Sequence, residues 1–146
     1  MEPTEAERLH HLLMDLIRAG GLLQPDQTVP GIGVTMSQAF ALHELDAGDP
    51  LSQQELADRL RLEKSSVSRM AAEMERKGLL VRERVAHDQR QYRLRLTELG
   101  HTVHAGMASA FHEQFEAWAA SMTDAERAAL LTGLPALVRA IRQHGA

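Results

Sequence analysis

LEKSSVSRMAAEMERKGLL at residues 62–80 and HDQRQYRLRLTELG at residues 87–100 decide the fold of this 146-residue chain. In the first segment Val67, Met70, Ala71 and Met74 recur at the apolar period of a helix, with Ser65, Ser66, Ser68, Arg69, Glu73 and Arg76 on the opposite side. That polar side is free to touch a partner. Gly78 ends the helix and the period then changes. Residues 79–84 and 91–96 read as strands, the second alternating Arg93 and Arg95 with Leu94 and Leu96, and residues 85–90 read as a polar loop between them. Just upstream, Ser52 caps a short helix whose Leu56, Ala57 and Leu60 look inward, and Arg61-Leu62-Glu63 turns into the serine-rich helix.

Charge singles out the same region. Residues 59–95 carry eleven Lys/Arg against five Asp/Glu, a local +6, in a chain whose formal net charge is −4, so the remainder is strongly acidic. A basic module in an acidic body is the electrostatic footprint of a nucleic-acid reader, because phosphate neutralisation supplies most sequence-independent affinity. With three Phe, one Tyr and one Trp the chain has little with which to stack single-stranded bases, which points to duplex.

Outward from this module the chain is mainly helical. Thr4/Glu7, Thr35/Gln38, Ser52/Glu55 and Thr123/Glu126 each place a hydroxyl three residues before Glu or Gln, ahead of an apolar helical period. The first helix carries Leu9, Leu12, Leu13, Leu16 and Ile17 on one face and stops at Gly20-Gly21, where glycine accepts a left-handed helix end. A loop rich in Gly and Pro follows to Gly33. The second helix, residues 35–47, sets Met36, Phe40, His43 and Ala47 on one stripe beside Ala39, Leu42 and Leu45, and reads as buried over a wide face. A fifth helix runs from Thr97 to about Ala120, with Met107, Phe111, Phe115 and Trp118 at helical spacing. A sixth runs from Thr123 to near His144, and Pro135 should kink or interrupt it near Leu131.

Two short helices joined by a tight turn, the second offering small polar and basic side chains from its first turn, form a helix-turn-helix, and the two-stranded ribbon behind it forms a wing. A helix fits the major groove, its N-terminal amides and dipole favour phosphate, and serine-sized side chains allow close approach. The wing loop can carry Arg90 into a minor groove, where narrow A·T-rich stretches attract arginine.

From the N-terminal helix through LSQQELADRLRLEKSSVSRMAAEMERKGLLVRE (residues 51–83) to Asp88-x-Arg90 and Leu96-Thr97-x-x-Gly100, the chain resembles the MarR family of winged helix-turn-helix regulators. The resemblance implies a mainly α fold with a two-stranded β wing, in one domain over residues 1–146. Residues 35–100 would form the DNA-binding part, and residues 4–20 and 98–144 would intertwine with a second copy as a homodimer. It further implies a pseudo-palindromic double-stranded operator. The fourth helices would lie in successive major grooves, with Ser65, Ser66, Ser68 and Arg69 at or near the bases and Lys64, Gln53 and Gln54 on phosphates. Arg90 would read the flanking minor groove beside Gln89, and Asp88 would orient the wing through an arginine. The family's ligand crevice, between the second helix, the fifth and the partner's first, marks Met36, Phe40, His43, His101 and His104 as effector-pocket candidates. Arg61 stands where the family often has Gly, the loop before Thr35 is longer than usual, and Pro135 falls within the last helix.

Other readings stand beside this one. Of eight histidines, His101 and His104 fall at i, i+3 with His112 two turns on, and with His43 or Glu44 they could make a zinc-responsive face. Zinc requires three or four ligands in a tetrahedron. The plainer reading is polar helix-face histidines, with His43 hydrogen-bonded at a buried seam. A winged helix used only for protein assembly is a third class, against which the basic window argues. No phosphate loop, Cys nucleophile, Ser-x-x-Lys or Gly-x-Ser-x-Gly occurs, so neither an enzyme nor a cofactor is expected. The absence of cysteine fits a reducing compartment. The polar, acidic N-terminus and the lack of an apolar run near about 18 residues point to the cytoplasm, away from any membrane. The expectation is a cytoplasmic repressor released from its operator by a small aromatic or amphipathic effector.

Overall fold

A computed structural model describes residues 1–20, 33–85 and 87–145, apart from the side chains of Gln89 and Arg90. The expected loop between Gly20 and Gly33 lies almost wholly outside the described residues. The elements are α1 (Glu5–Ala19), α2 (Met36–Asp46), α3 (Gln53–Leu60), α4 (Lys64–Arg76), β1 (Leu80–Val85), β2 (Asp88–Leu96), α5 (Glu98–Ala120) and α6 (Asp124–His144). This is the mainly α, winged helix-turn-helix architecture expected from the sequence. The chain divides into two compact units, Met1–Met107 and Ala108–Ala146.

Local sequence accounts for the helix starts. Thr4, Thr35 and Thr123 each accept the N3 amide on the hydroxyl while the N3 side chain accepts the cap amide, closing three of the four boxes. The fourth is half-formed. Ser52 accepts the Glu55 amide at 3.0 Å, but the Glu55 carboxylate turns instead toward Arg93, 3.6 Å away on β2. At the other end of α1, Gly20 keeps a right-handed backbone (φ −76°, ψ −6°), so the expected left-handed end is not used there.

The core of the first unit is built from Leu42, Leu45, Leu56, Val67, Ala71, Met74, Leu80, Leu94 and Leu96. Burying each of the larger side chains contributes roughly 1.5–3 kcal/mol. α2 buries Ala39, Ala41, Leu42 and Leu45 but turns Phe40, 58% exposed, and His43 outward. The sequence put both stripes inside; the first is solvent-facing, because α3, α4 and β2 all pack on the other. Gln38 is the buried polar exception, and its side-chain oxygen accepts from Thr35 N–H (3.2 Å) and from the Lys77 ammonium (3.0 Å).

β1 and β2 pair antiparallel from Leu80↔Leu96 to Val85↔Asp88, with a register shift at Arg84/Val85. β1 has the expected length, shifted by one residue, but β2 is longer than expected and the loop correspondingly shorter: β2 begins at Asp88, so Gln89 and Arg90 lie on its backbone. Leu51 joins the ribbon through a bridge to Leu94, with reciprocal backbone bonds of 3.2 and 2.6 Å. This fixes the α2–α3 connection against the wing.

The Leu96-Thr97-x-x-Gly100 signature acquires a physical meaning here. Thr97 N–H donates to the Leu79 carbonyl (3.0 Å), and the Thr97 hydroxyl donates to the Gly78 carbonyl (2.5 Å) while accepting the Gly100 amide (3.0 Å). A Cβ on Gly100 would fall 2.1 Å from the Leu79 carbonyl oxygen. Only glycine lets α5 start so close to the end of α4.

In the second unit, α6 starts at its Thr123 box. Arg127 donates to the Ala119 and Met122 carbonyls at the end of α5, where a cation also meets the negative end of the helix dipole. Of the kink or interruption expected at Pro135, the interruption does not occur, since α6 runs through that residue as one helix. The lost bond concerns the carbonyl of Leu131, a residue 78% exposed, where solvent can replace the missing donor.

Candidate nucleic-acid interface

α3 and α4 are joined by Arg61-Leu62-Glu63, and the sharpness of that turn rests on one residue. Arg61 is left-handed (φ 55°, ψ 43°), the only non-glycine with positive φ among the described residues. Its amide donates to Asp58 O (3.4 Å) and that of Leu62 to Ala57 O (3.0 Å), the paired bonds of a Schellman ending. Gly78 (φ 77°) ends α4 in the same way, with Gly78 N–H to Glu75 O (3.0 Å) and Leu79 N–H to Met74 O (2.9 Å). Glycine would remove the strain at position 61.

The start of α4 differs from every other helix start. α1, α2, α3 and α6 are capped by Thr4, Thr35, Ser52 and Thr123, and the Thr97 hydroxyl takes the Gly100 amide in α5. The α4 N-cap, Glu63, makes no side-chain bond, and the first turn holds no acid. Its first amides therefore have no side-chain cap, next to Lys64 and Ser65, both exposed. Unsatisfied amides at the positive end of a helix form an anion-receptive surface.

The remaining candidates distribute around this point. Arg69 is exposed, whereas Ser66 and Ser68 are half-buried. Gln53 is half-buried, and Gln54 is exposed with its amide donating to Asp58 along α3 (2.9 Å). Asp88 lies half-buried at the end of the ribbon, in register with Val85. The side chains of Gln89 and Arg90 lie outside the described residues.

Sequence reading missed Arg82. It projects from β1 onto α4, with one terminal nitrogen 3.5 Å from the Ser68 carbonyl and its Nε 4.0 Å from Glu75. That Nε is buried and has no hydrogen-bond partner among the described residues. Two residues on, Arg84 lies over the Tyr92 ring at 4.9 Å, and on the opposite face of the ribbon Arg95 pairs with Glu83.

Three of the five effector candidates do come together, around a residue the sequence reading did not select. The Asp46 carboxylate meets His101 Nδ1 at 2.7 Å and His104 Nδ1 at 3.2 Å, and His104 Nε2 lies 3.4 Å from His43 Nδ1. His101 Nδ1–H donates to Asp46, His104 lies beside the same carboxylate as an ion-pair contact, and the His43–His104 bond has its direction set by the tautomer. The His101 hydrogen bond, helped by the charges of His104, His101 and His43, holds the Asp46 carboxyl below its ordinary value despite desolvation. The i, i+3 spacing of His43/Asp46 and of His101/His104 was the available signal. Met36 is half-buried and Phe40 exposed, and neither makes a polar contact in this cluster. His112 pairs instead with Glu116 (3.7 Å). Among the described residues no group of three or more His, Cys, Asp or Glu could hold a metal ion, so the zinc-responsive alternative finds no site there.

A sequence model described as "MarR family" matches residues 32–91, the span from the start of α2 to the wing. A protein of Thauera aromatica named "Putative transcriptional regulatory protein for hcr operon" is 33% identical over 101 residues, covering 68% of this chain; the chain spans 61% of that relative's length. Among solved structures, the PcaV transcriptional regulator of Streptomyces coelicolor in complex with its natural ligand superposes with a TM-score of 0.73 at 26% identity, over 96% of this chain and 99% of that one. The fold is likewise that of Staphylococcus aureus MepR in its DNA complex, with a TM-score of 0.73 at 24% identity, over 95% and 99% of the two chains. No described helix is long and apolar enough to cross a membrane. The matched span takes in the helix-turn-helix and the start of the ribbon behind it, and the chain belongs to the MarR family of winged helix-turn-helix proteins.

Proposed function

We propose that the chain is a homodimeric, sequence-specific, duplex-DNA-binding transcription regulator of the cytoplasm, a repressor released by a small aromatic or amphipathic effector. The observation that carries this reading is the start of α4, without a side-chain cap, beside exposed Lys64, Ser65 and Arg69, in a fold that sets a ribbon next to it. In this reading Ser65, Ser66, Ser68 and Arg69 contact bases or lie near them, Lys64, Gln53 and Gln54 hold phosphates, and Asp88, Gln89 and Arg90 form the wing contact. Residues 1–146 act as one functional domain, with residues 35–100 on DNA.

Exposed apolar side chains support dimerisation through residues 4–20 and 98–144. α1 leaves Leu9, Leu12 and Leu16 exposed, and α6 leaves Leu130, Leu131, Leu134, Val138 and Ile141. Phe115 and Trp118 stack edge-to-face at 5.0 Å between centroids, and both are more than half exposed. Large apolar side chains left exposed on each of these helices favour a protein interface. The effector would enter a crevice between Met36, Phe40, His43, His101 and His104 and the partner's first helix. The Streptomyces coelicolor relative, whose structure holds its natural ligand, supports such a binding step. Release follows if the effector prefers a dimer with the wrong spacing of reading helices.

Mobility-shift titration of wild type and Arg90→Ala, at one salt concentration, tests the assignment. Weaker binding by the variant is expected, and equal operator affinity refutes the wing contact. A wild-type chain that retains no duplex at low salt refutes DNA binding and favours the protein-assembly reading.

A further inference from the structure

The contact between β1 and α4 is close but incomplete. Arg82 faces two points on α4 seven residues apart, the Ser68 carbonyl at 3.5 Å and the Glu75 carboxylate at 4.0 Å. Both separations exceed the ~2.9 Å of a well-made N–H···O bond. They are long in the same sense, so one small approach of the ribbon toward α4 would shorten both together. Glu75 is not needed elsewhere on this face, since Arg76 pairs with Glu73. Meanwhile Arg82 Nε is buried without a partner among the described residues, and its side chain is only 28% exposed. Buried donors in native proteins are almost always satisfied, so one that is not calls for a physical explanation.

We propose that Arg82 is a positioning residue that sets the wing against the reading helix through Glu75 and the Ser68 carbonyl, in a pair left open in the unbound chain and closed on duplex. The inference rests on the DNA-binding function proposed above. A wing held in the minor groove and a helix held in the major groove constrain β1 and α4 at once. Closing the Arg82–Glu75 pair then belongs to the bound state, and by linkage whatever closes the pair raises affinity for DNA. Arg82 itself touches no phosphate in this scheme. Its planar fork matters because Nε and a terminal nitrogen present two donors at a fixed separation to two acceptors, where a lysine ammonium offers a single point charge.

A double-mutant cycle with Arg82→Lys and Glu75→Gln tests the idea, using a labelled duplex selected from a random pool by the wild-type protein. Each single variant should weaken binding on the order of tenfold, and the double variant should weaken it little further, as coupled partners do. Salt dependence separates positioning from phosphate binding: the slope of log affinity against log salt should stay at the wild-type value, whereas loss of a phosphate ligand lowers it by about one. Thermal unfolding of the free proteins separates positioning from plain stabilisation, because an open pair contributes no coupling there. Additive losses of affinity, a reduced salt slope, or coupling of the same size in the free protein would each overturn the proposal. If the selection recovers no duplex, the DNA-binding function falls and this inference with it; if duplex is recovered and the cycle is additive, only this inference falls.

Discussion

Gly100→Ala should be among the most damaging single-methyl changes in the first unit. The added Cβ would lie 2.1 Å from the Leu79 carbonyl oxygen, 3.1 Å from its carbon and 3.2 Å from Leu96 Cβ. An ordinary carbon–oxygen contact is about 3.3 Å, so the start of α5 must retreat by roughly an ångström. The Leu79 carbonyl cannot yield freely, because it accepts the Thr97 amide at 3.0 Å. Overpacking of this kind costs about 1–3 kcal/mol, and weakening the Thr97 bond adds about 0.5–1.5 kcal/mol. The better helix propensity of alanine returns up to about 1 kcal/mol. The net is a loss of roughly 2–3 kcal/mol, which for a chain of this length lowers Tm by about 6–12 °C. Thermal unfolding should be followed at one protein concentration, since any dimer makes Tm concentration-dependent. Gly48→Ala is the control, because nothing lies within 4 Å of its built Cβ, and it should stay within about 0.5 kcal/mol of wild type. A Gly100→Ala protein melting within 2 °C of wild type, as roughly expected only of surface changes, would refute the close-approach account of the Thr97–Gly100 lock.

Three further outcomes are expected. Arg61→Gly relieves a left-handed arginine (φ 55°) and should raise stability by about 0.5–1 kcal/mol in urea unfolding; a loss would mean that the Arg61 side chain makes a contribution larger than its backbone strain. The depressed Asp46 carboxyl stabilises the fold fully above its ordinary value of 3.8, and that contribution is lost as pH falls through its lower folded value. Asp46→Asn should therefore be less stable than wild type near neutrality and converge with it in strong acid, and a constant gap down to the lowest pH would contradict the His101–Asp46 geometry. Lys64→Gln should lower the salt slope of operator binding by about one, in contrast to Arg82→Lys, and an unchanged slope would remove Lys64 from the phosphate contacts.

Much of the fold was legible because its signals are local. A hydroxyl and a carboxylate or carboxamide three residues apart need only each other, so three of the four expected boxes close as their sequence implies. The apolar period of residues 67–74 and the change to alternation after Gly78 likewise report on a few neighbouring side chains. The basic window and the exposed polar side of α4 followed from charge and spacing alone.

Where local signals had a distant competitor, the sequence misread the outcome. Glu55 has the right spacing to complete a box, yet it turns to Arg93, which is near only because Leu51 bridges Leu94. The two apolar stripes of α2 look equivalent in one dimension, and packing against α3, α4 and β2 chooses between them. Residues 85–90 were too polar to read as strand, but ladder bonds across the ribbon carry β2 back to Asp88.

The sequence by itself thus determined the helices, the ribbon and the polar side of α4, because capping, periodicity and charge act within a few residues. The tertiary structure alone decided that Gly100 must be glycine, that Asp46 gathers His43, His101 and His104, and that Arg82 lies between Ser68 and Glu75 with its Nε lacking a hydrogen-bond partner among the described residues. Each of those depends on groups brought together from distant parts of the chain. Their chemistry is set by separations of an ångström or less, which no one-dimensional pattern records.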